Sequence, residues 1–113
     1  MRFEVMEVSP TVNKLVLAGR LDSSTVGAVE TPFTAAVAAS GRSALLDLSG
    51  VEFLSSLGIR LLLSCARVVT RRGGRLVLFG AQPMVTEVLT AMALQEILPM
   101  AETEAEAMAL LPA

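Results

Sequence analysis

The stretch from Ala44 to Gly74 constrains the fold more than any other part of the chain. It opens with Ala44-Leu45-Leu46-Asp47-Leu48, an apolar run of buried-strand length. Ser49-Gly50 reads as a turn, and Val51-Glu52-Phe53-Leu54 leads into a serine pair, Ser55-Ser56. From Leu57 to about Arg72 the spacing predicts a helix. Arg60, Ser64, Arg67 and Arg71 fall on one narrow stripe, and Ile59, Leu62, Cys65, Ala66 and Val69 fall opposite. Such a helix has one solvated face and one that packs on something apolar. Gly73-Gly74 supplies the left-handed residue that ends helices, and Arg71 and Arg72 place cations in the last turn, where the dipole favours them.

The serine pair stands where the helix begins. The first backbone N–H groups of a helix lack internal partners, and the positive end of the dipole points there. Two readings are open. Ser55 or Ser56 caps the helix, a common use of serine, or a serine hydroxyl is displayed for phosphorylation, which would add a charge of about −1.5 to −2 without breaking the helix.

The rest of the chain arranges itself around this unit. Phe3 to Val8 and Lys14 to Gly19 read as two strands joined through Ser9-Pro10-Thr11, a hairpin. The small polar cluster Asp22-Ser23-Ser24-Thr25 precedes a helix from about Thr25 to Ala39, in which Pro32 predicts a kink or a restart. Ser40-Gly41 ends it. Ala44 to Leu48 is the third strand, apolar enough for the middle of a sheet, and Gly74 to Gly80 the fourth. Pro83 begins a short helix from Met84 to about Met92. Gln95 to Met100 is a turn with a brief extended piece, and Thr103-Glu104-Ala105-Glu106 is a capping box that opens a last helix to about Leu111. The expected fold is therefore one α/β domain spanning residues 1–113, with a four-stranded mixed sheet in the order β-β-α-β-α-β-α-α. Its centre is parallel, built from right-handed crossovers, and the hairpin supplies an antiparallel edge.

Composition narrows the chemistry. The chain has 113 residues, enough for a single core. It has no histidine, tryptophan or tyrosine, which removes serine–histidine triads, histidine-metal sites and most acid–base schemes near neutral pH. The one cysteine, Cys65, lies on the apolar side of its helix and reads as a buried, inert thiol. Asp22, Asp47 and Glu52 lie on separate elements with no base or metal ligand near them. No catalytic residue, metal or cofactor is expected. A net charge of −2 with 4% aromatic residues does not suit direct nucleic-acid binding. Mean hydropathy is high at +0.65, yet Arg60, Arg67 and Arg71-Arg72 interrupt the best candidate for a membrane span. With no signal-peptide pattern, a cytoplasmic protein is expected. Charge is uneven: five of the nine basic residues lie between positions 60 and 75, and the segment from Glu87 onward has five acidic residues and no basic one. An interaction module with one modifiable site fits these facts better than an enzyme.

Three runs of residues carry a resemblance: Gly19-Arg20-Leu21-Asp22-Ser23-Ser24-Thr25, then Leu45 to Ile59, with Asp47-Leu48-Ser49-Gly50 and Ser55-Ser56-Leu57-Gly58 inside it, then Arg72-Gly73-Gly74-Arg75-Leu76-Val77-Leu78. With the C-terminal Thr103 to Ala107, these motifs cover almost the whole chain in order. The chain resembles the STAS family, in particular the bacterial anti-sigma factor antagonists. The resemblance implies a STAS-like fold and a partner switch in transcription regulation. In that switch the unphosphorylated protein binds an anti-sigma factor that is also a serine kinase, a histidine-kinase-like ATPase, and so frees a sigma factor. Phosphorylation ends the complex, and a serine phosphatase restores it. By position the acceptor is Ser56, two residues before Gly58. Ser55 stands where the family often has aspartate, and is the alternative acceptor; Leu57 stands where it often has a small residue. Partner contacts are implied for Asp22, Ser23, Ser24, Thr25, Ser55, Leu57, Gly58 and Arg60. The alternative is a STAS subunit that is never phosphorylated and serves a regulatory or structural role in another complex, such as a membrane transporter assembly.

Overall fold

A computed structural model describes residues 2–39 and 41–112 of the chain. The sheet has five strands in the spatial order β1-β2-β3-β4-β5: Arg2–Ser9, Val12–Leu21, Ser43–Leu54, Leu76–Phe79 and Met100–Ala101. β1 and β2 form the expected antiparallel hairpin, and β2, β3, β4 and β5 run parallel. The four helices are α1 (Val26–Ala39), α2 (Ser56–Arg71), α3 (Pro83–Ala91) and α4 (Glu104–Ala109).

Helices cover both faces of the parallel centre. Leu15, Leu17, Leu46, Leu48 and Leu78 pack with Phe33, Leu62, Val69 and Leu89 from α1, α2 and α3. Val12, Leu45, Val77 and Phe79 point the other way and pack on Ala107 of α4. β3 lies in the middle, and five of its residues, Ala44, Leu45, Leu46, Leu48 and Val51, are completely buried. That double burial is why its apolar run does not alternate. At the edge, β1 is mostly exposed and is held by the hairpin and by Phe3, whose ring meets Phe33 edge-on at 5.6 Å.

Three expectations need correction. The sheet has five strands instead of four, because the extended piece after Gln95 pairs with β4 through Met100 and Ala101. The third strand does not stop at a Ser49-Gly50 turn but continues to Leu54. Its register with β2 shifts between Val16 and Ala18 and again between Gly19 and Arg20, so β3 absorbs extra residues as bulges. Gly50 lies in the first of these, where an added Cβ would come within 2.8 Å of the Ala18 Cβ. Asp47 is accordingly inside the strand; its Oδ1 accepts from the Ser49 N–H at 2.9 Å and from the Ser49 hydroxyl at 2.7 Å. Finally, Pro32 does not restart its helix. α1 runs through it, and Pro32 faces solvent, where water can serve the carbonyl that proline leaves unbonded. α1 ends at Ala39 as expected, although Ser40 lies outside the described residues.

Candidate functional site

The two serines that open α2 have different surroundings. Ser55 is the N-cap, with extended backbone at φ −84° and ψ 172°. Its Oγ accepts from the Gly58 N–H at 3.2 Å, and its carbonyl accepts from the Ile59 N–H at 2.9 Å. It therefore satisfies one of the orphan donors of the first turn. Ser56 is the first helical residue. It is exposed, and its hydroxyl has no hydrogen-bond partner among the described residues.

Beneath them, Gly58 is buried. A Cβ there would stand 2.9 Å from Leu21 Cγ and 2.9 Å from Leu54 Cδ1. Glycine lets the first turn of α2 rest directly on the ends of β2 and β3. Leu57 and Arg60 are exposed, Leu57 to 41%, and both line a small groove with Val26 and Glu30 of α1.

The Asp22 loop meets this turn through the backbone, as the Ser55 N–H donates to the Leu21 carbonyl at 2.9 Å. The loop is tightly tied. Asp22 Oδ1 accepts from the Ser24 hydroxyl at 2.7 Å, the Ser24 N–H at 3.0 Å and the Thr25 N–H at 3.2 Å. The Thr25 hydroxyl donates to the Arg20 carbonyl at 2.6 Å and accepts from the Asp22 N–H at 2.9 Å. These donors, the Ser24 hydroxyl first, hold the Asp22 carboxyl below its ordinary pKa, so it is an anion. Ser23 is exposed at the tip. The fold thus brings Asp22, Ser23, Ser24 and Thr25 to the same end of the sheet as Ser55, Ser56, Leu57 and Arg60.

Sequence reading does not single out Arg20 and Phe53, yet they brace this end. The Arg20 guanidinium lies 4.5 Å from the centre of the Phe53 ring, and its Nε is 3.6 Å from Asp22 Oδ2. The two residues are register partners across β2 and β3. The bulges that set that register left no readable signal in the sequence.

The remaining residues considered for chemistry fall elsewhere. Cys65 is buried on the packed side of α2, and burial pushes its thiol up to about 11, so it is neutral and unreactive at ordinary pH. Among the described residues, no group of histidine, cysteine, aspartate or glutamate side chains is arranged to hold a metal. No helix among them is long and apolar enough to cross a membrane.

A family model for the STAS domain matches residues 5–107. The chain belongs to the STAS domain family. Among solved structures, this STAS domain is similar to an anti-sigma-factor antagonist domain protein from Planctomyces limnophilus, at 27% identity over 95% of this chain and 94% of that one, with a TM-score of 0.82. It is similar as well to an anti-sigma factor antagonist from Mycobacterium paratuberculosis, at 25% identity over 96% and 91% of the two chains, TM-score 0.83. The Bacillus cell fate determinant SpoIIAA in its phosphorylated form shares the fold, at 23% identity over 96% and 97%, TM-score 0.71. No curated protein matches the chain. The comparisons support the role of the anti-sigma factor antagonists in general terms for this STAS domain.

Proposed function

We propose that this STAS domain is a cytoplasmic anti-sigma factor antagonist switched by phosphorylation of Ser56. Unphosphorylated, it binds an anti-sigma factor serine kinase through the surface formed by the Asp22–Thr25 loop and the first turn of α2, and a sigma factor is released. In the switching step the Ser56 oxygen forms a bond to the γ-phosphorus of ATP. The bond to the bridging oxygen breaks, ADP leaves, and the hydroxyl proton passes to a base on the kinase. A serine phosphatase hydrolyses the phosphoester and resets the surface. The domain is the substrate in both reactions and catalyses neither.

The observation that carries this reading is the inequality of the two serines. Ser55 is engaged as the helix cap, whereas the Ser56 hydroxyl is exposed and unpartnered beside a pre-shaped loop. Known phosphorylation of a protein with the same fold adds support. A phosphate in the middle of such a surface brings charge and a desolvation penalty into the complex. Each ~1.4 kcal/mol so lost is a tenfold drop in affinity. No change of fold is needed.

The test is peptide mapping of the protein isolated from its native cells, across Glu52 to Arg60. A fraction heavier by about 80 Da, the mass of a phosphoryl group, is expected on Ser56. The Ser56→Asp variant should bind the partner at least tenfold more weakly with an unchanged far-UV circular dichroism spectrum. A label on Ser55 would keep the mechanism and move the site. Absence of label in cells, together with none after incubation with the partner kinase and ATP, would overturn the reading.

A further inference from the structure

We infer that Arg60 is the built-in counter-ion of phosphorylated Ser56, an inference that rests on the reading of Ser56 as the acceptor. The two residues lie one helical turn apart in α2, and side chains four apart share one face. Helical side chains lean toward the N-terminus of their helix, so Ser56 lies within the range that the Arg60 side chain can sweep. Both residues are exposed. In the unmodified protein neither side chain has a hydrogen-bond or ion-pair partner among the described residues.

Among the described residues no anion is paired with Arg60. From Ser56 to Arg71, α2 contains no aspartate or glutamate. Glu30 of α1 lines the same groove as Arg60 but forms no ion pair with it. Asp22 in the adjoining loop is taken by Arg20, Ser24 and Thr25. Arg67, the next cation on the stripe, is almost two turns further along. A phosphate on Ser56 is therefore met by one uncommitted guanidinium, whose fork of donors suits phosphate oxygens.

The pairing gives the switch a second component. Before modification Arg60 is a free cation on the surface offered to a partner. After modification it turns inward along its own helix and no longer serves the partner. Phosphorylation thus introduces an anion and withdraws a cation from the same patch.

The experiment uses the full chain with phosphoserine placed at position 56 during translation, and follows the second ionisation of the phosphate by phosphorus NMR. No kinase takes part, so the outcome is separate from whether any kinase labels the protein. A nearby cation favours the dianion and lowers that pKa. The wild-type phosphate should titrate about half a unit below that of Arg60→Gln, the size expected for an exposed pair. Arg60→Lys should fall between them, and Arg67→Gln should match wild type. Coincident titrations of wild type and Arg60→Gln would overturn the inference. So would an equal shift in Arg67→Gln, which would mark a diffuse field instead of a pair. Arg60 is exposed, and circular dichroism of each variant checks that it still folds.

Discussion

The two ends of α2 are built on opposite plans. The C-terminal end is closed by backbone. Gly73 adopts φ +81°, and the Gly74 N–H donates to the Val69 carbonyl at 3.1 Å. An added Cβ on Gly74 would lie 1.6 Å from the Arg42 carbonyl oxygen. Arg72 reaches across to α1, donating to the Val37 carbonyl at 2.7 Å and the Ala38 carbonyl at 3.0 Å. Those are orphan carbonyls in the last turn of a helix that has no basic residue of its own there. The N-terminal end is closed only as far as Ser55, and the next residue stands open. The difference teaches how a small domain can carry a modifiable residue on a helix that also belongs to its core: one end is locked to its neighbours by backbone and by Arg72, and the other is capped by Ser55 while one hydroxyl, that of Ser56, stays open.

The largest break of that contrast is Gly74→Ala. The Arg42 carbonyl is backbone and cannot rotate away, so the strand start must shift. A loss of about 3 kcal/mol or more is expected in urea denaturation, at the upper end for overpacking. A variant as stable as wild type would show that the closed end yields easily. Arg72→Met comes next. It keeps much of the aliphatic stem but leaves the two α1 carbonyls without their charged donor. A loss of about 1–2 kcal/mol is expected, given that the guanidinium is partly solvated. Local protection should fall as well, with the last turn of α1 exchanging its amides faster.

Much of this was legible in the sequence, and what was not has identifiable causes. The α2 stripe was readable because a solvated arginine row and a packed aliphatic row differ in chemistry at every turn: Arg60, Ser64, Arg67 and Arg71 are exposed, and Ile59, Leu62, Cys65, Ala66 and Val69 are buried. The N-cap at Thr103 was readable because it is local; the Thr103 side chain accepts from the Glu106 N–H at 3.2 Å, which is one half of the expected capping box. β3 was cut short because Ser49-Gly50 has the composition of a turn, and only pairing with β2 converts it into a bulge. β5 reads in the sequence only as a brief extended piece, because two residues carry no period. The nearness of the Asp22 loop to Ser55 follows from β2 and β3 ending side by side. That is a long-range fact, and the family resemblance suggested it where local spacing could not. Arg20 over Phe53 had neither source.

The smallest effects are the most discriminating, because they separate two adjacent serines. Ser55→Ala removes the acceptor for the Gly58 N–H and should cost about 1 kcal/mol, the usual value of an N-cap. Ser56→Ala removes a hydroxyl that bonds to nothing among the described residues, and alanine is the better helix former. Its stability should stay within about 0.5 kcal/mol of wild type. Chemical denaturation of the two variants side by side gives the comparison. Unequal values in this order mean that the fold relies on Ser55 and is indifferent to Ser56, which is the property a modification site inside a structural helix requires. The reverse order would mean that Ser56 is the cap and that a phosphate there would weaken the helix it sits on. The switch would then act through local unfolding of α2 instead of through the surface of an intact domain.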